Sequence, residues 1–308
     1  MKKTLLAIAM TGLFGATAQA ATVYDADGVA VEFYGDIEVF LANDTDGTDA
    51  TIQLDDADLM AKVTSVVNDD LSVYGAIEYV ENVGDGATNA LTLDHASVGF
   101  IFDAGTLSFG KQATLLDDAG IFNDYVFGVS DFAVNGANSG EQTVKFTFAQ
   151  GNVYGGVAYN MGQTFGDADD DSSILDGKIG MTMDNLDVVL YAALVDDGTE
   201  KEKNIRVEAT YSMDALTLAA TAATTSYDGE SGTSFGAQVA YSMDKFTYSV
   251  GAAKVDTSDI TGGTDQLDYI AGVEYALASN TTVYGQIGGN DNDATDDLGY
   301  AVGMQVSF

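Results

Sequence analysis

Apolar and polar residues alternate with a period of two along most of the chain. Between Val31 and Leu41, the residues Val31, Phe33, Ile37, Val39 and Leu41 fall on one face, and Glu32, Tyr34, Asp36 and Glu38 on the other. The pattern returns where Leu59, Ala61 and Val63 alternate with Asp58, Met60, Lys62 and Thr64, and where Val144, Phe146 and Phe148 alternate with Thr143, Lys145 and Thr147. It returns again over 205–213 and 267–277. Successive side chains of a strand point to opposite sides, so this rhythm predicts strands with one apolar and one polar face.

The connections come in two kinds that take turns. Tight turns are expected at Asn68-Asp69-Asp70, Asp103-Ala104-Gly105, Gln150-Gly151-Asn152, Met183-Asp184-Asn185, Met213-Asp214-Ala215, Met243-Asp244-Lys245 and Ala278-Ser279-Asn280, rich in the Asp, Asn and Gly that such turns use. Longer, acidic connections are expected at 43–50, 81–90, 163–171, 196–203, 226–232, 256–266 and 290–297. The turns at Asp184, Asp214 and Asp244 lie 30 residues apart, and YSMDALTL and YSMDKFTY are near copies, as expected of one hairpin per period.

Seven tight turns pair fourteen strands, and a first strand near 30–41 with a last near 298–308 brings the number to sixteen. An even number of antiparallel strands, with short turns at one end and long loops at the other, describes a transmembrane β-barrel of the outer-membrane type. Only closure satisfies every backbone group in lipid. The fold class read from the chain is therefore all-β, a sixteen-stranded antiparallel transmembrane barrel. One stretch breaks the rhythm: from Gly110 to Glu141 the alternation stops for about thirty residues, longer than a structureless connection usually is without a function. We expect this segment, about 112–140 and following the fifth strand, to fold into the enclosed space as a constriction.

Composition sharpens this picture. Lys2 and Lys3, an apolar run over 5–16 and Ala18-Gln19-Ala20 form a secretory signal pattern, so residues 1–20 are expected to be cleaved and 21–308 to form a single barrel domain. Of 11 basic residues two lie in that segment, leaving 9 against 48 acidic ones, a net of −39. That balance disfavours nucleic acid, whose phosphates need clustered Lys and Arg. No apolar run reaches the roughly 18 residues of a membrane helix. With one His and no Cys, neither a zinc site nor a nucleophile–histidine machine is expected, so the chain reads as no enzyme and as needing no cofactor. Asp44-x-Asp46-Gly47-x-Asp49 and Asp291-x-Asp293 miss the spacing of a calcium loop and suit only weak divalent-cation binding.

With strands and internal segment in place, four stretches carry a resemblance: Tyr34-Gly35-Asp36; Asp70-Leu71-Ser72-Val73-Tyr74-Gly75 with Glu78-Tyr79; the run from Gly105 to Gln112; and the terminal Phe308. In that order they make the chain similar to the general, non-specific trimeric porins of Gram-negative outer membranes. The resemblance implies a homotrimer of water-filled barrels in contact with outer-membrane lipid and lipopolysaccharide. It also implies a segment after Lys111 that narrows the pore, and passive diffusion of small hydrophilic solutes and ions. The chain departs from the family where an arginine cluster usually stands on the wall: those positions align with Asp58, His95 and Glu141, and Arg206 is the one arginine. The internal segment also lacks the family's Pro-Glu-Phe turn, its nearest counterpart being 121–127.

Placing the apolar face against lipid turns Glu32, Asp36, Glu38, Asp58, Glu78, Glu141, Glu208, Asp268 and Glu274 inward, together with Lys62, Lys145, Lys178, Arg206, His95 and Ser97. Asp117, Asp118, Asp124 and Asp131 add carboxylates to the internal segment, and Lys111 stands at its start as a lumen cation. A confined pore lined by acids concentrates counter-ions, so a cation-preferring channel is expected. The rivals are a plugged structural or adhesive barrel, and a solute-selective channel using the inward Tyr34, Tyr74, Tyr154, Tyr191 and Tyr284.

Overall fold

A computed structural model describes residues 21–43, 50–81, 91–123, 125–129, 139–161, 172–196, 198, 200–260, 263–291 and 298–308. The expected signal segment 1–20 and the candidates Asp124 and Asp131 lie outside these residues. The strands are β1 (Ala21–Ala26), β2 (Val29–Tyr34), β3 (Asp36–Asn43), β4 (Thr51–Asn68), β5 (Leu71–Glu81) and β6 (Leu91–Phe102). Then come β7 (Gly105–Ala113), β8 (Ser139–Gln150), β9 (Val153–Met161), β10 (Ser173–Met183), β11 (Leu186–Asp196) and β12 (Lys201–Met213). The chain continues through β13 (Leu216–Tyr227), β14 (Glu230–Met243), β15 (Phe246–Asp256), β16 (Asp265–Ala278), β17 (Thr281–Asn290) and β18 (Gly299–Ser307).

All belong to one antiparallel sheet in which, apart from β2 and β3, each strand pairs with the next, and β18 returns to β3. β2 and β3 run along the same edge of β4 and are one stave broken at Gly35. With β1 standing outside the ring, the wall has sixteen staves, as the sequence pattern predicts. A side chain at Gly35 would run into the carbonyl and carboxylate of Asp58, so the break needs glycine. There Gly35 and Phe308 exchange both backbone hydrogen bonds, at 3.0 and 2.9 Å, and close the ring.

Just past that point β1 takes over the edge of β2, Ala21 lying opposite Phe33. The period-two reading contains no strand at 21–26. Its signal is the dipeptide Asp27-Gly28, both left-handed with φ 55° and 76°, which is the chemistry of a two-residue hairpin. The seven tight turns form as expected, and Asp184, Asp214 and Asp244 share one conformation, with φ 50°, 50° and 56°. The connection at 226–232 differs from expectation. Tyr227 pairs with Glu230 around Asp228-Gly229, φ 48° and 86°, so an Asp-Gly hairpin replaces the long loop.

Exposure follows parity. On β10 the outward Leu175, Ile179 and Met181 are exposed while the inward Ile174, Asp176 and Lys178 are buried. The apolar face therefore makes the outer belt. A cation placed on that belt loses its hydration, at a cost of about 2–4 kcal/mol at the bilayer midplane. Ile179→Lys, in the middle of β10, is expected to lower barrel stability in lipid vesicles by that amount, whereas Met60→Lys on the half-exposed inner face of β4, opposite Glu78, is expected to cost much less. Urea titration of the folded, vesicle-embedded protein measures both.

Candidate functional site

The lumen is organised by the segment that leaves β7. Between Gly110 and Gln112 the β7–β8 register shifts, and Gln112 turns inward to bond Ser108 Oγ at 2.8 Å and the carbonyl of Thr143 at 3.3 Å. Lys145 Nζ, on β8, then donates to the carbonyl of Ala113 at 2.7 Å. On β10, Asp176 Oδ2 accepts the N–H groups of Leu115 and Leu116, the latter at 3.0 Å, and so holds the start of a single 3₁₀ turn, Leu116–Asp118. Lys178 pairs with the Asp118 carboxylate, and Tyr191 on β11 donates to the Asp118 carbonyl at 3.1 Å.

The segment continues around the inner wall. Gln238 on β14 accepts the Asn123 N–H at 2.8 Å and donates to the Ile121 carbonyl at 3.0 Å. Asn123 Nδ2 reaches Glu274 on β16 at 2.7 Å. Gln286 on β17 accepts the N–H groups of Val126 and Phe127, both at 2.9 Å, and donates to the Asn123 carbonyl at 3.0 Å. Tyr125 stacks on Tyr284 with centroids 4.1 Å apart, and Tyr284 donates to Glu38. Burial, and after it the carboxylate of Glu274, push the Tyr125 phenol above its usual range.

An irregular backbone away from water leaves both N–H and C=O groups to satisfy. A carboxamide supplies acceptor and donor from one side chain. Gln238 and Gln286 each meet both kinds of group in this way, whereas Asp176 only accepts and Lys145 only donates. Sequence reasoning weighed the charged lumen residues and passed over Gln238, Gln286 and Asp176; the available signal was a long amide at inward parity on a porin-like wall.

The basic candidates are engaged by acids and carbonyls. Lys178 meets Asp118, Lys145 meets the Ala113 carbonyl, and Arg206, 1% exposed, places Nε 2.6 Å from Glu208 Oε1. Asp117 shares the exposed 3₁₀ turn with Asp118. Lys111 departs from its expected inward orientation. It lies opposite Ala96, on the face carrying Val98 and Phe109, and pairs there with Glu141 at 2.7 Å. Lys111 simply keeps the outward parity of Leu107 and Phe109 on β7; the register slip puts its extra residue on β8 and turns Glu141 away from its expected inward side to meet the lysine.

The opposite part of the wall is acidic. Asp36, Asp56 and Asp58 bring carboxylate oxygens within 4.8 Å of one another, with Gln305 donating to Asp36 at 2.9 Å. Glu78 stands across from Met60 on one side and His95 on the other; the His95 ring meets Ser97 Oγ at 2.6 Å, and Lys62 lies 5.4 Å above the Tyr74 ring. These wall residues of β3–β6 are half-exposed, while inward residues such as Asp176, Arg206, Gln238, Asp268, Gln286 and Ala301 are buried. Solvent thus reaches the lumen mainly beside β4–β6, where Asp36, Asp56, Asp58 and Glu78 stand.

With that geometry in place, comparison with known proteins is informative. Residues 4–295 match the family description "Gram-negative porin". The chain is 32% identical, over the full length of both, to "Porin-like protein H" of Photobacterium profundum. Among solved structures, the trimer form of OmpT, an outer membrane protein of Vibrio cholerae, superposes with TM-score 0.77 at 21% identity, covering 92% of this chain and all of the other. An anion-selective porin from Comamonas acidovorans superposes with TM-score 0.75 at 15% identity over 91% of this chain and all of the other. A closed sixteen-stave barrel with an apolar outer belt, matched along its length to one family, leaves a single assignment: the chain belongs to the Gram-negative porins and is a multi-pass β-barrel channel of the outer membrane.

Proposed function

We propose that this porin is a homotrimer acting by passive diffusion of ions and small hydrophilic solutes, without catalytic turnover, and that it prefers cations. The observation that carries the preference is the pairing pattern of the lumen. Lys145, Lys178 and Arg206 are held by carbonyls and acids, whereas Asp36, Asp56, Asp58 and Glu78 line the half-exposed side. Fixed carboxylates beside the water path raise the local cation concentration and lower that of anions. A fold shared with an anion-selective porin leaves the sign of selectivity to such lining residues. The outward Lys203, near the loop-bearing end of β12, suits contact with lipopolysaccharide phosphates. The acidic loops suit weak divalent-cation binding there.

Planar-bilayer recording under a KCl gradient tests the reading. Conductance steps in threes with a cation-signed reversal potential are expected; an anion-signed reversal would overturn the lining assignment, and silent barrels would overturn the channel. Asp58→Asn with Glu78→Gln is expected to move the reversal potential toward zero. The difference from the unaltered protein should shrink between 0.1 and 1 M salt, as the screening length falls from about 10 to about 3 Å. Lys178→Gln, which frees the Asp118 carboxylate, is expected to move it the other way.

A further inference from the structure

Two phenylalanines of the internal segment sit where the wall carries no side chains. The Phe122 ring lies over Gly236 of β14 and Gly251 of β15. A Cβ at either glycine would come 2.8 Å from that ring, closer than packed atoms approach. Phe127 lies over Gly288 of β17 and Gly299 of β18, which face each other across the two strands; a Cβ at Gly288 would come 2.6 Å from Phe127 Cβ, and one at Gly299 would overlap the ring. Phe127 is buried there, together with Val129, among Phe40, Ala42, Ile270 and Ala301.

Glycine weakens a strand and often marks a place where another group approaches closely. Elsewhere in this barrel rings also cover glycines, as Tyr74 covers Gly99 and Tyr154 covers Gly180, but those rings belong to a neighbouring stave of the same wall. Phe122 and Phe127 come from outside the wall and bind the segment to it. The polar clamps of Gln238 and Gln286 fall between and beside the two pits. Rings seated in pits lie deeper than rings resting on side chains would, and every ångström of depth is width left open beside β4–β6.

Building on the porin reading above, we propose that Phe122 and Phe127 are positioning residues that set the width of the passage, by seating the segment in two glycine pits. The passage they leave runs along the β4–β6 side. The prediction has two signs. Phe122→Ala and Phe127→Ala, which leave the wall intact, release the segment; larger or noisier conductance steps and an upward shift of the sugar size cut-off in liposome swelling are expected. Gly236→Ala and Gly299→Ala fill the pits and push the rings toward the water path; smaller steps and a downward shift are expected. If a glycine variant fails to fold, the phenylalanine variants decide. Unchanged conductance and size cut-off in the folded phenylalanine variants, or a change of the same sign in both sets, would overturn the proposal while the porin reading stands. Silence of the unaltered protein would instead overturn the reading on which it rests.

Discussion

Inside a bilayer no water is available to a stray N–H or C=O, and this one constraint shapes the molecule. Strands can meet it only by forming a ring without edges. Everything regular in the chain serves that end: period-two alternation, even spacing, and aspartate turns repeated in one left-handed conformation at Asp184, Asp214 and Asp244. The ring is completed by the ladder of β18 on β3, which ends in a pair of backbone bonds between Gly35 and Phe308, and β1 continues the pairing of β2 beyond them.

The same constraint returns, inverted, inside the lumen. The described residues of the segment after β7 form no ladder of their own, yet much of their backbone lies out of water. Its groups are satisfied by side chains from the wall: Asp176 for the 3₁₀ turn, Gln238 and Gln286 for the stretch around Asn123. Its acids have a second duty, because Asp118 balances Lys178. The segment thus pairs off a wall lysine and covers that side, leaving Asp36, Asp56, Asp58 and Glu78 on the side that faces solvent.

The wall was legible in the sequence because its signal is repeated sixteen times, so no single irregularity could hide it. Closure, stave number and inward or outward parity all follow from periodicity and turn chemistry. What escaped reading depended on one residue at a time. The bulge on β8 turns Glu141 outward, and no count of alternation reveals where a register slips; charge alone suggests an inward Lys111, although its parity with Leu107 and Phe109 points it out of the lumen. The Asp-Gly pairs at 27–28 and 228–229 are hairpin signals that were overlooked beside the longer, more acidic connections nearby. The segment's anchors were hidden for another reason. Charge draws attention to possible chemistry, but irregular buried backbone is best met by amides and by missing side chains, and Gln238, Gln286, Gly236 and Gly299 carry no such flag.

The junction of Gly35 with Phe308 has a consequence for assembly. It joins the first stave to the last, so its formation closes the largest loop in the chain, and loop closure costs entropy before any contact repays it. Until that junction forms, the sheet has two open margins along its full height, each able to recruit a strand from another molecule. Folding therefore cannot be finished piecemeal from the amino end. An assembling barrel stays vulnerable to mispairing with its neighbours until the final stave arrives, and a cell that makes this protein must shelter both margins until then.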